Sequence, residues 1–216
     1  MDAMFADRAD AGRRLASALA AYRGRDGLLV LALPRGGVPV AAEVARALSA
    51  ELDVLVVRKL GAPFNPELAI GAIASGGALY SNSRILRMAG ITDAEFEAVL
   101  AREREELVRR EASYRAGRNA LTWKGRCVIA VDDGVATGAT LRIALRAIRA
   151  GGAVRTVAAV PVASSDVAAD LANEADEVVT VLRPPYLQSV GEFYRDFSQV
   201  SDAQVEALLL RPSTAG

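Results

Sequence analysis

The chain has 216 residues, 52% hydrophobic and 24% charged, enough apolar material for one domain with a sizeable core. Its 26 basic and 26 acidic residues cancel, so no global field favours nucleic acid or an anionic membrane surface, and no apolar run approaches the roughly 18 residues of a membrane span. With no histidine, Ser-His-Asp and Cys-His nucleophiles and His-based zinc sites are excluded, and the single Cys127 excludes an internal disulfide. That cysteine usage, and an N-terminus without an apolar core of the secretory kind, predict a reducing, cytoplasmic setting.

In chain order, residues 7–22 follow an amphipathic helix pattern, with Ala9, Leu15, Ala16, Leu19 and Ala20 on one side. Residues 28–33 are an apolar strand closed by Pro34-Arg35-Gly36-Gly37, and 40–50 are a helix. A second strand, 53–57, ends in Arg58-Lys59, and a third apolar run, 68–74, turns at Gly76-Gly77 toward 78–80. Residues 92–115 form one long charged helix, which Thr92 and Glu95 can open as a capping box. Strands at 126–131, 154–160 and 177–182 alternate with helices at 139–150 and 165–173, and a short helix at 202–210 follows an irregular, aromatic segment. Unbroken apolar strands alternating with helices predict an α/β fold, an open, mostly parallel sheet with helices on both faces.

Ligands of such sheets bind beyond the carboxyl ends of the strands. Strand 126–131 runs into Asp132-Asp133, then Gly134-Val135-Ala136-Thr137-Gly138-Ala139-Thr140 and a helix. Two adjacent bare carboxylates are too costly to bury together, so they are expected at the sheet edge, accepting from a diol or holding Mg²⁺. Ala136, Thr137, Gly138, Ala139 and Thr140 offer an anion backbone amides, two hydroxyls and a helix start. A diol-binding acid pair joined to a phosphate loop suits a ribose 5-phosphate; the bland alternative is an acidic strand-to-helix turn. Neither GxxxxGK[ST] nor GxGxxG is present. At the first strand end, Gly36 and Gly37 permit close backbone approach and Arg35 presents a fork to phosphate oxygens, although alone this reads as an ordinary glycine-rich turn. With Arg58 and Lys59 after the second strand, three cations facing two acids predict a site for a sugar anionic at both ends.

VIAVDDGVATGAT resembles the thirteen-residue phosphoribosyl diphosphate (PRPP) motif of type I phosphoribosyltransferases, LPRGG their pyrophosphate loop, and VVRKL their basic strand end. The resemblance implies that Asp132 and Asp133 bind the ribose hydroxyls directly or through Mg²⁺, that residues 136–140 bind the 5-phosphate, and that Arg35, Gly36 and Lys59 take the pyrophosphate. It also implies a non-proline cis peptide, expected at Pro34–Arg35. The chain, 1–216, then reads as one phosphoribosyltransferase domain, with a core over about 26–182, a helical insertion over about 83–118 and a small C-terminal hood over about 183–200. The implied chemistry is displacement of pyrophosphate at C1 of PRPP through a transition state with oxocarbenium character, in the setting of nucleotide metabolism and purine salvage.

The acceptor is less defined. The 6-oxopurine enzymes of the family usually have Asp where this chain has Ala136, and a Lys on the following strand, here TVAAVPVASS; the motif is closer to the adenine type. VGEFYRDF resembles the base-binding hood of purine-type members: Tyr186 or Phe193 would stack on the base and Arg195 reach the pyrophosphate, or these aromatics form a small core over the sheet end. Glu67, loosely comparable with a glutamate of adenine-type members, is a candidate proton donor. Helix 92–115 reads as a solvated, self-paired face; the alternatives are that Arg115 or Arg118 belongs to a lid, or that Phe96, Val99, Leu100 and Leu107 make a homodimer contact. Cys127 and Trp123 read as packing residues. Against the transferase stands a PRPP- or nucleotide-binding regulatory module without turnover, but no basic stripe or aromatic platform for nucleic acid is visible. A PRPP synthase-like enzyme would need a second comparable domain; a hydrolase acting at the same site stays open.

Overall fold

The computed structural model describes residues 4–115, 117, 119 and 122–210. The elements in chain order are α1 (Arg8–Ala18), β1 (Leu28–Ala32), α2 (Gly37–Leu48), β2 (Glu51–Val54), β3 (Val57–Ala62), β4 (Asn65–Ala74), β5 (Leu79–Ser81), α3 (Ser83–Met88), α4 (Asp93–Arg115), β6 (Cys127–Val131), α5 (Ala139–Ala150), β7 (Arg155–Val162), α6 (Ser165–Leu171), β8 (Glu177–Leu182) and α7 (Asp202–Leu209). Five strands form an all-parallel sheet in the order β2-β1-β6-β7-β8. Every residue of β1 and β6 is buried, as expected of central strands covered on both faces. In α2, Val40, Ala41, Val44, Ala45 and Leu48 follow the helical spacing and are buried against the sheet. Each such leucine or valine contributes about 1.5–3 kcal/mol by leaving water.

The chain leaves β1 toward β2 on one side and re-enters the sheet on the other side at β6, so the strand order reverses between β1 and β6. Ala32 lies opposite Val131, and the Leu33 N–H donates to the Val131 carbonyl at 2.8 Å. The loops that follow the two strands therefore start side by side, where open α/β sheets open a crevice.

The expected strand 53–57 is two strands in two sheets. β2 ends at Val54, and β3, β4 and β5 form a separate antiparallel sheet in that order. The transfer occurs at Val56, whose N–H is taken by the Ser75 hydroxyl at 2.9 Å and whose carbonyl accepts the Ser75 N–H at 2.9 Å. Ser75 is fully buried and supplies the partners the parallel sheet no longer gives. Helix 92–115 is α4, opened by reciprocal bonds between Thr92 and Glu95. Much of its charge is self-paired, Glu106 holding Arg109 and Arg110 at 2.7 Å each.

Two expectations for α4 are corrected. Val99, Leu100 and Leu107 are buried in this chain's own core with Phe96 packed on it, so they offer no face to a second copy. Arg115 does not belong to a lid: its guanidinium is buried, 3.1 Å from Asp53 Oδ1, 3.0 Å from Glu111 Oε1 and 3.0 Å from the Val54 carbonyl. It ties the end of α4 to the end of β2. Arg118 lies outside the described residues. Cys127 is buried in β6, and Trp123 is buried in the core that includes Leu31 of β1 and Leu145 and Ile148 of α5, as expected.

A third small core joins the two ends of the chain. Phe5 and Tyr194 are buried ring against ring, with centroids 5.2 Å apart, and Phe197 lies 5.0 Å beyond Tyr194. Backbone bonds staple the segments together, Phe5 N–H to Phe193 O, Arg195 N–H to Phe5 O and Asp196 N–H to Ala6 O, at 2.8–3.0 Å.

Candidate active site

Asp132 and Asp133 follow β6 directly and stand beside the loop of β1. Each carboxylate has one oxygen anchored. Oδ1 of Asp132 accepts the Asp133 N–H at 2.9 Å, and Oδ2 of Asp133 accepts Nε of Arg8 at 2.8 Å. The other two oxygens, Asp132 Oδ2 and Asp133 Oδ1, have no hydrogen-bond donor among the described residues. Burial and the charge of Asp133 push the Asp132 carboxyl well above the usual carboxylate range. Burial also raises Asp133, with Arg8 pulling the other way. The protein thus holds two poorly compensated acids at one strand end, each offering one acceptor oxygen.

The backbone completes the enclosure. The Pro34–Arg35 peptide is cis, as expected. A Cβ on Gly36 would lie 2.0 Å from Asp133 Oδ2, so only glycine lets this loop approach the acid pair. Beyond the acids, Gly138 caps α5 at φ 75°, a left-handed conformation that favours glycine. A cleft of about 130 Å³ is lined by Asp132, Gly134 and residues 135–141.

The helix starts separate this edge from the rest of the molecule. Asp7, Asn82, Thr92, Ser164 and Ser201 cap α1, α3, α4, α6 and α7 by accepting first-turn N–H groups. Neither α2 nor α5 has a side-chain cap, and both begin here, at Gly36 and Gly138, with no acid in the first turn. The first-turn amides of α5, Ala139, Thr140 and Leu141, have no backbone partner outside the helix among the described residues and suit an anion, whereas at α2 the Gly37 and Val38 N–H groups donate to the Leu33 and Arg35 carbonyls at 3.0 and 3.2 Å and Pro39 has no N–H to offer.

A family model for the phosphoribosyl transferase domain matches residues 4–191. The chain belongs to the phosphoribosyl transferase family. Protein TT1426 of Thermus thermophilus, known from a crystal structure, is 48% identical to this phosphoribosyl transferase family member; the match covers 96% of this chain and 98% of that one, with TM-score 0.84. Proteins of two Mycobacterium tuberculosis strains that carry a provisional phosphoribosyl transferase name are 49% identical over 208 residues, which is 96% of this chain and 47% of theirs. The chain thus spans about half the length of those two relatives.

Within the family's fold, the remaining expected site residues are scattered. Arg35, at the mouth of the cis loop, lies 3.6 Å from Asp202 at the start of α7. Arg58 and Lys59 do not face the two acids from a neighbouring strand end; this expectation is corrected. They lie on β3 of the antiparallel sheet, because the chain changed sheets at Val56. There Arg58 is held by Glu103 of α4 at 2.6 Å and Lys59 by Glu67 at 3.1 Å. These residues line a separate cleft of about 310 Å³ with Arg102. Glu67 is 89% exposed at its side chain. Tyr186 stands 87% exposed, Phe193 packs half-buried on the terminal core, and the Arg195 side chain is exposed.

Two residues at the acid pair escaped the sequence reading. Arg8 reaches Asp133 across 125 positions of sequence, and the Tyr194 hydroxyl donates to the Asp133 carbonyl. Arg8 is one of several arginines on a surface helix pattern, with no local mark. Tyr194 lay within the quoted hood motif, one residue from Phe193, and only its burial distinguishes it.

Proposed function

We propose that the protein transfers the 5-phosphoribosyl group of PRPP to a nitrogenous base or similar nucleophile, releasing pyrophosphate with Mg²⁺ as cofactor. The observation that carries this reading is the acid pair with one open oxygen each, set between the cis loop of β1 and the uncapped start of α5. The open oxygens of Asp132 and Asp133 suit the two ribose hydroxyls. The α5 amides with Thr137 and Thr140 suit the 5-phosphate; the cis loop at Arg35, Gly36 and Gly37 suits the diphosphate.

In the reaction a C1–N bond forms as the C1–O bond to diphosphate breaks, and the acceptor's proton leaves to solvent or a nearby base. The residues' share is to orient C1 and to stabilise the departing charge. The donor set fits Mg²⁺, a hard cation commonly held by one or two carboxylates and substrate phosphates. Among the described residues no group of three or more potential ligands is gathered, so the donor's oxygens would complete the coordination. Bound with PRPP, Mg²⁺ would neutralise charge on the leaving diphosphate.

Tyr186, exposed beside the sheet end, is the better stacking candidate for a base; Phe193 is engaged in packing. For Lys59, Arg58 and Glu67 to take part, the β3–β4 hairpin would have to close over the sheet edge. Among the described residues no helix is long and apolar enough to cross a membrane, and a cytoplasmic, dimeric enzyme of purine salvage belongs to the proposal.

The test is pyrophosphate release from PRPP and Mg²⁺ against a panel of bases, orotate and amines, with the Asp132→Asn/Asp133→Asn double variant as control. Release with one acceptor, reduced on the order of 10²–10³-fold in the control, supports the transferase. Release without any acceptor points to a hydrolase. Binding without turnover favours the regulatory module, and no PRPP binding sinks the reading.

A further inference from the structure

The terminal segments of the chain grip Asp133 twice. Its carboxylate is held by Arg8 at 2.8 Å, and its carbonyl accepts the Tyr194 hydroxyl. Arg8 is itself fixed on three sides. NH1 donates to the Ser198 carbonyl at 2.7 Å, the guanidinium lies 3.9 Å from the centre of the Phe197 ring, and Nε is engaged by Asp133. Both partners of the ion pair are largely buried, at 11% and 14% side-chain exposure. Arg8 comes from the first turn of α1, which the 5–6 to 193–196 backbone bonds hold in place. Tyr194, Phe197 and Ser198 lie beyond residues 4–191, the part matched by the family model.

A carboxylate on a short side chain has two settings of its oxygens to choose between. Arg8 takes Oδ2, the oxygen nearer the Gly36 backbone, so Oδ1 is the one left without a hydrogen-bond donor among the described residues. Arginine suits this task because its planar fork spans two acceptors at once, here Asp133 and Ser198. The ring of Phe197 adds a flat, apolar wall that limits rotation of the guanidinium.

We infer that Arg8 is a positioning residue for the phosphoribosyl donor, fixing Asp133 through Oδ2 so that Oδ1 meets the donor's ribose. The inference rests on the proposed use of PRPP. It makes Tyr194, Phe197 and Ser198, which hold Asp133 or Arg8, part of what sets donor affinity.

The experiment is isothermal titration of PRPP with Mg²⁺ into the wild-type chain and into Arg8→Ala, Arg8→Lys and Tyr194→Phe, with melting temperatures of all four. Losing a charge-assisted contact that orders Asp133 is expected to weaken Kd by about tenfold or more in Arg8→Ala at full stoichiometry. Arg8→Lys keeps the charge but not the fork and is expected to fall between Arg8→Ala and wild type. Tyr194→Phe removes one hydroxyl and should weaken Kd less than Arg8→Ala. A purely structural role would instead lower the melting temperature and the bound fraction while leaving Kd alone, and that result overturns the inference. Tighter binding in Arg8→Ala overturns it too, since Arg8 would then be a competitor of the ligand. If Arg8→Ala does not fold, Arg8→Lys decides by the same criterion. Wild-type protein that does not bind PRPP defeats the proposed function and this inference together; wild-type binding with Kd unchanged in the Arg8 variants defeats this inference alone.

Discussion

At the carboxyl edge of the parallel sheet, Asp132 and Asp133 share one guanidinium, Arg8, whereas on the antiparallel sheet Arg58 meets Glu103 and Lys59 meets Glu67, charge for charge. Both regions are rich in ionisable side chains, and sequence alone treats them as one site. The difference is compensation. In the second region each cation already has its anion, in part out in solvent, where such pairs contribute about 0–1 kcal/mol. In the first, two desolvated acids and the uncapped start of α5 remain short of partners, a costly arrangement unless a ligand completes it. Arg115 with Asp53 forms a third case, a buried pair away from the acid cleft, with Glu111 and Val54 O completing the guanidinium's contacts.

The strongest test of this contrast is the pair that is purely architectural. Asp53→Ala leaves Arg115 buried without its main anion and is expected to cost about 3–5 kcal/mol in urea unfolding, with PRPP affinity of the folded protein unchanged. A selective loss of PRPP affinity would make α4 part of the site after all.

Next comes Gly36→Ala. Its Cβ would sit 2.0 Å from Asp133 Oδ2, so loop or carboxylate must move. Overpacking of this kind costs about 1–3 kcal/mol, and PRPP binding by calorimetry should fall by more than the stability loss explains. Unchanged affinity would show that the loop and the acid pair do not act together.

Asp132→Asn probes the uncompensated charge itself, in metal-free protein. Burial and Asp133 raise the Asp132 carboxyl, so the folded chain keeps this proton to higher pH than the unfolded chain does. The stability tied to it is present in acid and is lost as pH rises through the folded-state pKa. Asp132→Asn is therefore expected to melt a few degrees higher than wild type at pH 7, the gap closing as pH falls toward about 4. Asparagine can still accept the Asp133 N–H, so the anchoring bond survives. A variant less stable than wild type at pH 7 would mean the acid has a stabilising partner.

The smallest effect is expected at Glu67. With 89% of its side chain exposed and Lys59 beside it, Glu67→Gln should change kcat by less than about threefold, well under the 10²–10⁴-fold typical of a general acid or base. A larger drop would show that the β3–β4 hairpin closes over the parallel sheet during turnover, and would merge the two regions compared here.

Much of this molecule is written locally. The apolar runs of β1 and β6, the spacing of α2, the capping box of α4 and the start of α5 at Ala139 each depend on residues a few positions apart. The same holds for the acid pair and the phosphate loop, because strand end, carboxylates and helix start are contiguous. The change of sheet at Val56 was not legible, since 54–57 is a continuous apolar run and the deciding group, Ser75, lies 19 positions away. Without it Arg58 and Lys59 read as neighbours of the acids.

Local pattern alone determined an α/β chain with Asp132, Asp133 and a glycine-bounded anion loop at one strand end, because backbone periodicity and turn chemistry act over a few residues. Tertiary structure decided which charges find counter-ions: Arg8 and Asp133 are 125 positions apart, Arg115 and Asp53 are 62. An ion pair between distant elements leaves no periodic trace in sequence, unlike the Glu106 pairs within α4, and its partner is chosen only when packing brings one guanidinium within reach and removes the water that would otherwise serve.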